Sequence, residues 1–168
     1  MEFSDPVKLS DGRYFVKVGG PLYVSLKNVI VFDPESDEIS LKLDTGDVQT
    51  VTEWDQKCVE SAVENSTKWF HKEISADVIK SYFQSSLDGQ VLDVQPSVNA
   101  KGKVATVYFD AAKNQIQKIE PNTNASILLQ LDGLWFLRKT FGPVWRVVQV
   151  KVRKTVEPVQ CMLDDDSD

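Results

Sequence analysis

A chain of 168 residues, 42% hydrophobic and 26% charged, can bury a core without metal or disulfide help, and its composition is neither disordered nor fibrous. The net charge of -6 argues against a broad affinity for nucleic acid, and no apolar run is long enough to span a bilayer. The N-terminus, Met1 to Pro6, lacks the basic and apolar segments of a secretory signal, so an intracellular protein with two free thiols, Cys58 and Cys161, is expected. Without a signal peptide, the glycosylation-type triplets at Asn65 and Asn124 read as chance.

The first third reads as strands. Tyr14 to Val18 ends at the turn signal Gly19-Gly20-Pro21. From Leu22 to Phe32 the residues Leu22, Val24, Leu26, Ile30 and Phe32 share one face, and Ile39, Leu41 and Leu43 alternate beyond a turn at Asp33-Pro34.

The middle reads as a two-helix insertion over about 53–88. Thr52 caps a helix with Trp54, Cys58, Val59, Ala62 and Val63 on its stripe. Ser75 caps a second helix, with Asp77 in its first turn and Gly89 placed to end it. Trp69-Phe70, between the two, is expected to pin them to the sheet.

Strands return at Val91–Val94, Val104–Phe109, Ile116–Ile119, Ile127–Lys139 and Val144–Arg153. The expected fold class is α+β, mainly antiparallel β: a small barrel (OB-like) or a sandwich carrying the helical insertion. Residues 1–155 form a single β-rich domain on this reading, and 156–168 a disordered acidic tail.

Charge is segregated at the C-terminus. Leu134 to Lys154 holds Arg138, Lys139, Arg146, Lys151, Arg153 and Lys154 and no acid. Glu157 onward holds Asp164, Asp165, Asp166 and Asp168 and no base. If Thr140-Phe141-Gly142-Pro143 is the turn and Lys139 pairs with Val144, then Leu129, Leu131, Trp135, Leu137, Val148, Val150 and Val152 face the core, with Arg146 among them near the turn. Phe136, Arg138, Trp145, Val147, Gln149, Lys151 and Arg153 then face outward. A one-residue slip would reverse the assignment.

Exposed rings among bases suit unpaired nucleic acid, because bases stack on the rings while Arg and Lys follow the phosphates. The candidate binding residues are Phe136, Arg138, Lys139, Trp145, Lys151, Arg153 and Lys154, extended by Tyr14, Tyr23 and Tyr108. Core packing of the rings and simple solubility of the bases are the commoner reasons for such a pattern. The acidic tail is expected to compete for the basic face or to recruit partners.

A compact β-barrel with an aromatic-basic face and an Asp-rich end resembles the single-stranded-DNA-binding proteins of tailed phages and their proposed relatives in large eukaryotic DNA viruses. Asn65-Ser66-Thr67-Lys68-Trp69-Phe70, Gly133-Leu134-Trp135-Phe136 and Phe141-Gly142-Pro143-Val144-Trp145 also look like small proteins of algal and amoebal giant viruses. The resemblance covers about residues 54–154. It implies an OB-type barrel, coating of single-stranded DNA and contacts with replication proteins. The phage proteins end in an aromatic residue, whereas this chain ends Asp166-Ser167-Asp168, which departs from docking through a terminal ring.

Catalytic signatures are lacking. The one histidine, His71, supports neither a metal site nor a triad, and no phosphate-loop, dinucleotide, nucleophile-elbow or zinc-protease motif occurs. Asp44, Asp47, Glu53 and Asp55 cluster where a cation could sit, although capping is the commoner use. No cofactor, no metal and no enzymatic activity are expected. Single-stranded DNA or RNA is the expected partner. The alternative is a viral structural or adaptor protein, a minor capsid or virion component that meets protein partners instead.

Overall fold

A computed structural model of the protein describes residues 1–153. Its elements run β1 (Glu2–Phe3), β2 (Val7–Lys8), β3 (Tyr14–Gly19), β4 (Tyr23–Val31), β5 (Ile39–Leu43), α1 (Thr45–Glu64), α2 (Ser66–Phe70) and α3 (Ala76–Tyr82). They continue β6 (Leu87–Asp88), β7 (Val91–Pro96), β8 (Val107–Phe109), β9 (Gln115–Ile116), β10 (Thr123–Phe136) and β11 (Phe141–Val152). Lys154 and the acidic tail lie outside the described residues.

The pairings β10–β4, β4–β5, β5–β7, β7–β11 and β11–β10 join five strands into a ring. All are antiparallel except β7–β11. The expected mainly antiparallel, OB-like α+β architecture is what forms. Besides pairing with each other, β10 and β11 are each long enough to serve two further neighbours. β10 pairs with β4 along Thr123–Gln130 and with β3 along Gly133–Phe136. β11 pairs with β7 at Arg146–Val147 and with β8 at Gln149–Lys151.

The core fills the ring with Val24, Leu26, Leu41, Leu92, Leu129, Leu131, Trp145 and Val147, among others. The helices close it. Trp69 lies edge-on to Phe136, with ring centroids 5.5 Å apart, and Phe70 edge-on to Phe136 and Phe141 at 5.4 and 5.8 Å. Trp69-Phe70 does pin the helices to the sheet, from a short helix of its own.

The insertion therefore holds three helices rather than two. α1 begins earlier than Thr52, because the Asp44 side chain accepts the Asp47 N–H at 2.8 Å and caps it there. Ser75 caps α3 as expected, but α3 ends at Tyr82. Gly89 instead turns the β6–β7 hairpin with φ +62°, a conformation that glycine adopts without steric cost.

Among the described residues, β-bulges interrupt the simple alternation of faces in β4, β10 and β11. In β4, Lys27 and Asn28 stand against Ser126 alone, so the buried set shifts from Val24 and Leu26 to Val29 and Val31. The Asp47 carboxylate fills this bulge, accepting the Lys27 N–H at 3.1 Å and the Asn28 N–H at 2.9 Å. In β10, Asp132 is the extra residue, and in β11 it is Val148. Each bulge reverses which side of the strand faces the core.

The turn of the β10–β11 hairpin is Leu137–Thr140, not Thr140–Pro143, with the Leu137 N–H donating to the Thr140 carbonyl at 2.8 Å. Gly142-Pro143 lies within β11. The Phe141 carbonyl points away from β10 and accepts the Gln84 N–H at 2.7 Å. Residue 143 points the same way, so its missing N–H removes no bond of the hairpin.

Candidate nucleic-acid interface

The corrected register moves the rings. Phe136 stacks on Phe141 in the core at 5.3 Å, and Trp145 is 1% exposed. Neither can stack on a base, and the expectation that they face outward is overturned by the bulges at Asp132 and Val148. Trp135, expected inside, is half-exposed on the outer face. Val147 is buried and Leu137 exposed in the turn, both contrary to expectation. Leu129, Leu131 and Val150 are buried, and Gln149, Lys151 and Arg153 are exposed, as expected.

Two glycines seat the outer rings. At Gly133 a Cβ would stand 2.3 Å from the Val16 carbonyl oxygen and 2.5 Å from Cζ of Phe15. At Gly142 it would stand 2.5 Å from the Gln84 carbonyl oxygen and 3.0 Å from Cζ2 of Trp135. Phe15 and Trp135 are paired across β3 and β10, so the two rings are neighbours on one face.

Cations surround them. The Arg13 guanidinium carbon is 6.0 Å from the Trp135 ring centroid, and its Nε donates to Asp11 at 2.9 Å. Arg146 donates to Asp132 at 3.1 Å and to the Pro96 carbonyl at 3.1 Å, and Lys17 lies 4.0 Å from Asp132. Arg13, Phe15, Asp132, Trp135 and Arg146 border a cleft of about 520 Å³ where β11 diverges from β7, with Gln84, Ser85, Asp88 and Asp93 on its other side.

A second basic group lies along the same outer face. Lys27, Ser126, Lys151 and Arg153 line a shallow depression at the far end of the hairpin. Arg153 Nη1 and the Ser126 hydroxyl both donate to the Lys27 carbonyl at 2.9 Å, which holds the group at the β4 bulge. Among the described residues none of the three cations is in an ion pair. Along β10, Ser126 to Trp135 spans roughly 30 Å at about 3.3 Å per residue. Tyr23, paired with Gln130, is exposed between the two ends.

The remaining candidates are dispersed. Arg138 and Lys139 are exposed in the hairpin turn. Tyr14 pairs with Phe136 and belongs to the opposite face. Tyr108 pairs with Val150, and its hydroxyl donates to the Pro34 carbonyl at 3.4 Å beside a separate cavity. Burial pushes its phenol above the ordinary range, and nearby Glu35 adds to the rise.

The acidic cluster near α1 is taken apart by the fold. Asp44 caps α1, Asp47 fills the β4 bulge and the Asp55 carboxylate accepts from the Ser85 hydroxyl. Burial lifts the Asp55 carboxyl from 3.8 to about 6, partly opposed by the Ser85 hydrogen bond, and its Oδ1 has no partner among the described residues. Burial, reinforced by Asp55, pushes the Cys58 thiol up to about 12, so Cys58 is an unreactive core residue. His71 is exposed at the left-handed C-cap of α2.

Sequence reasoning misses Phe15, Arg13, Lys17 and Lys27. Their only signal is alternation in β3 and β4, legible once the partner strand's register is known.

Comparison with solved structures places the fold. The chain is similar to the single-stranded DNA-binding protein from bacteriophage Enc34, in a structure in complex with single-stranded DNA, with a TM-score of 0.52 and 13% identity over 92% of this chain and 97% of that one. It is also similar to gp2.5, a single-stranded DNA-binding protein encoded by bacteriophage T7, with a TM-score of 0.51 and 9% identity over 84% of this chain and 98% of that one. The resemblance drawn from the sequence to the phage proteins thus holds at the level of fold. No curated protein matches the sequence. The family model for DUF5871, a family of unknown function, matches residues 27–162, and the chain belongs to that family.

Proposed function

We propose that the protein binds single-stranded DNA along the outer face of β3, β4, β10 and β11. The phosphates run over Lys27, Lys151 and Arg153, and a base stacks on Trp135 beside Arg13 and Phe15. The observation that carries this reading is the half-exposed Trp135 indole, turned outward by the Asp132 bulge and flanked by a guanidinium. A shared fold with phage proteins that bind single-stranded DNA supports it. An extended surface with stacking rings at one end and cations at the other matches the needs of an unpaired strand.

The acidic residues Asp164, Asp165, Asp166 and Asp168 complete the proposal as competitors for the same cations, and as the segment offered to replication proteins. Fluorescence titration at low salt with a 15-nucleotide oligomer tests it. Emission should fall in the wild type and in Trp54→Phe, but not in Trp135→Phe, and removal of residues 157–168 should tighten binding. An unchanged emission and an unchanged oligomer anisotropy, with or without those residues, would rule the function out.

A further inference from the structure

The cleft beside Trp135 has two chemically different sides. Toward β3, β10 and β11 it is bordered by Arg13, Phe15, Trp135 and Arg146, together with Asp132, whose carboxylate is neutralised by its ion pair with Arg146. Toward β5, β6 and β7 it is bordered by Glu38, Asp88 and Asp93. Clean alternation explains the second side: Leu92 and Val94 enter the core, so Asp93 must point outward. Ser40, paired with Asp93 across β5 and β7, donates its hydroxyl to Asp93 Oδ1 at 2.7 Å, which orients the carboxylate.

A phosphodiester strand cannot lie along a row of carboxylates. A base stacked on Trp135 therefore has its phosphate toward the arginines and its edge toward Asp88 and Asp93. An ionised carboxylate only accepts hydrogen bonds. It matches a base edge carrying an exocyclic amine, such as N4 of cytosine, and opposes the O4 carbonyl of thymine. Stacking on Trp135 accepts any base. The carboxylates add the selection.

Building on the proposed function, we infer that this cleft selects bases with an exocyclic amino group, cytosine among the pyrimidines, and discriminates against thymine. Asp93, oriented by Ser40, and Asp88 are the specificity-determining residues. Pyrimidines give the cleanest comparison, because cytosine and thymine share one ring and differ at position 4, an amine against a carbonyl.

The test is fluorescence anisotropy on the full chain with labelled dC15 and dT15 at pH 7.5, for the wild type and for Asp88→Asn/Asp93→Asn. Wild type should bind dC15 about tenfold more tightly than dT15, at the low end of what a matched base-edge contact gives. The carboxamides offer donors as well as acceptors, so the double variant should bring the ratio close to one. The ratio is the readout, because removing two negative charges strengthens binding to any oligomer. Equal or tighter wild-type binding of dT15 overturns the selection while leaving the binding function standing. An unchanged ratio in the double variant overturns the assignment to Asp88 and Asp93. Failure to bind either oligomer removes the function itself, and the selection with it.

Discussion

The indole of Trp135 rests on Gly142, where a Cβ would come within 3.0 Å of Cζ2. The ring thus abuts backbone at Gly142 and also lines the cleft. Trp135→Ala should weaken binding of a 15-nucleotide oligomer by about 1–3 kcal/mol, the usual worth of one stacked base. Trp135→Phe should retain part of that. A loss in anisotropy titration without a matching fall in thermal stability separates stacking from misfolding, whereas an unaltered Kd for Trp135→Ala would remove the ring from the interface.

Lys151 projects from β11 at the other end of the face, beside Lys27 and Arg153. A cation over a phosphate releases about one condensed counterion. Lys151→Ala should therefore weaken binding at low salt and lessen the slope of log K against log salt by about 0.7, as expected for single strands. Titration at four salt concentrations measures the slope, and an identical slope would mean Lys151 contacts no phosphate.

Asp47 is the one buried charged residue among those described, and its carboxylate serves two backbone N–H groups of the β4 bulge. Asp47→Ala strands both donors away from water. The expected cost is about 3 kcal/mol, at 1–3 kcal/mol per unsatisfied group. Urea unfolding followed by circular dichroism checks it. Asp47→Asn, which keeps one acceptor, should lose less.

Asp55 makes the stability of the fold depend on pH. Its carboxyl is raised from 3.8 to about 6 by burial, so the folded chain binds the proton more tightly than the unfolded one. The stability contributed by the protonated form is complete below pH 4 and is lost as pH rises through 6. At pH 7.5 the charged form is a cost. Asp55→Asn should therefore stabilise the fold there by about 1–2 kcal/mol, after allowance for partial exposure, and by nothing at pH 3.5. Melting curves of both proteins at the two pH values give the comparison, and an equal difference at both would refute it.

Much of the fold is legible in the sequence because short-range patterns report it. Ile39, Leu41 and Leu43 alternate without interruption, and all three are buried. Ser75 caps its helix as its position implies. The outer face of the hairpin is not legible, because its parity is set by two unmarked residues. Nothing in the dipeptide Asp132-Gly133 announces that Asp132 is an extra residue, yet that one insertion exchanges Trp135 for Phe136. Val148 lies in a run of valines where any register looks apolar. The outward face of Lys151 is legible because it lies beyond the second bulge, where the two reversals no longer matter. Gly142-Pro143 misleads for a related reason. The glycine answers to the Trp135 ring and the proline to a free strand edge, both tertiary demands that turn statistics do not contain.

The two longest strands, β10 and β11, which each pair with three others, are also the last of the described elements to leave the ribosome. Until they emerge, β3 and β4 lack their partner β10, and β7 has nothing against which to close. The nascent chain therefore holds exposed strand edges through most of its synthesis, and ring closure waits for a hairpin joined by a tight local turn. Closing that hairpin costs less chain entropy than making the sequence-distant pairings of β10 with β3 and β4.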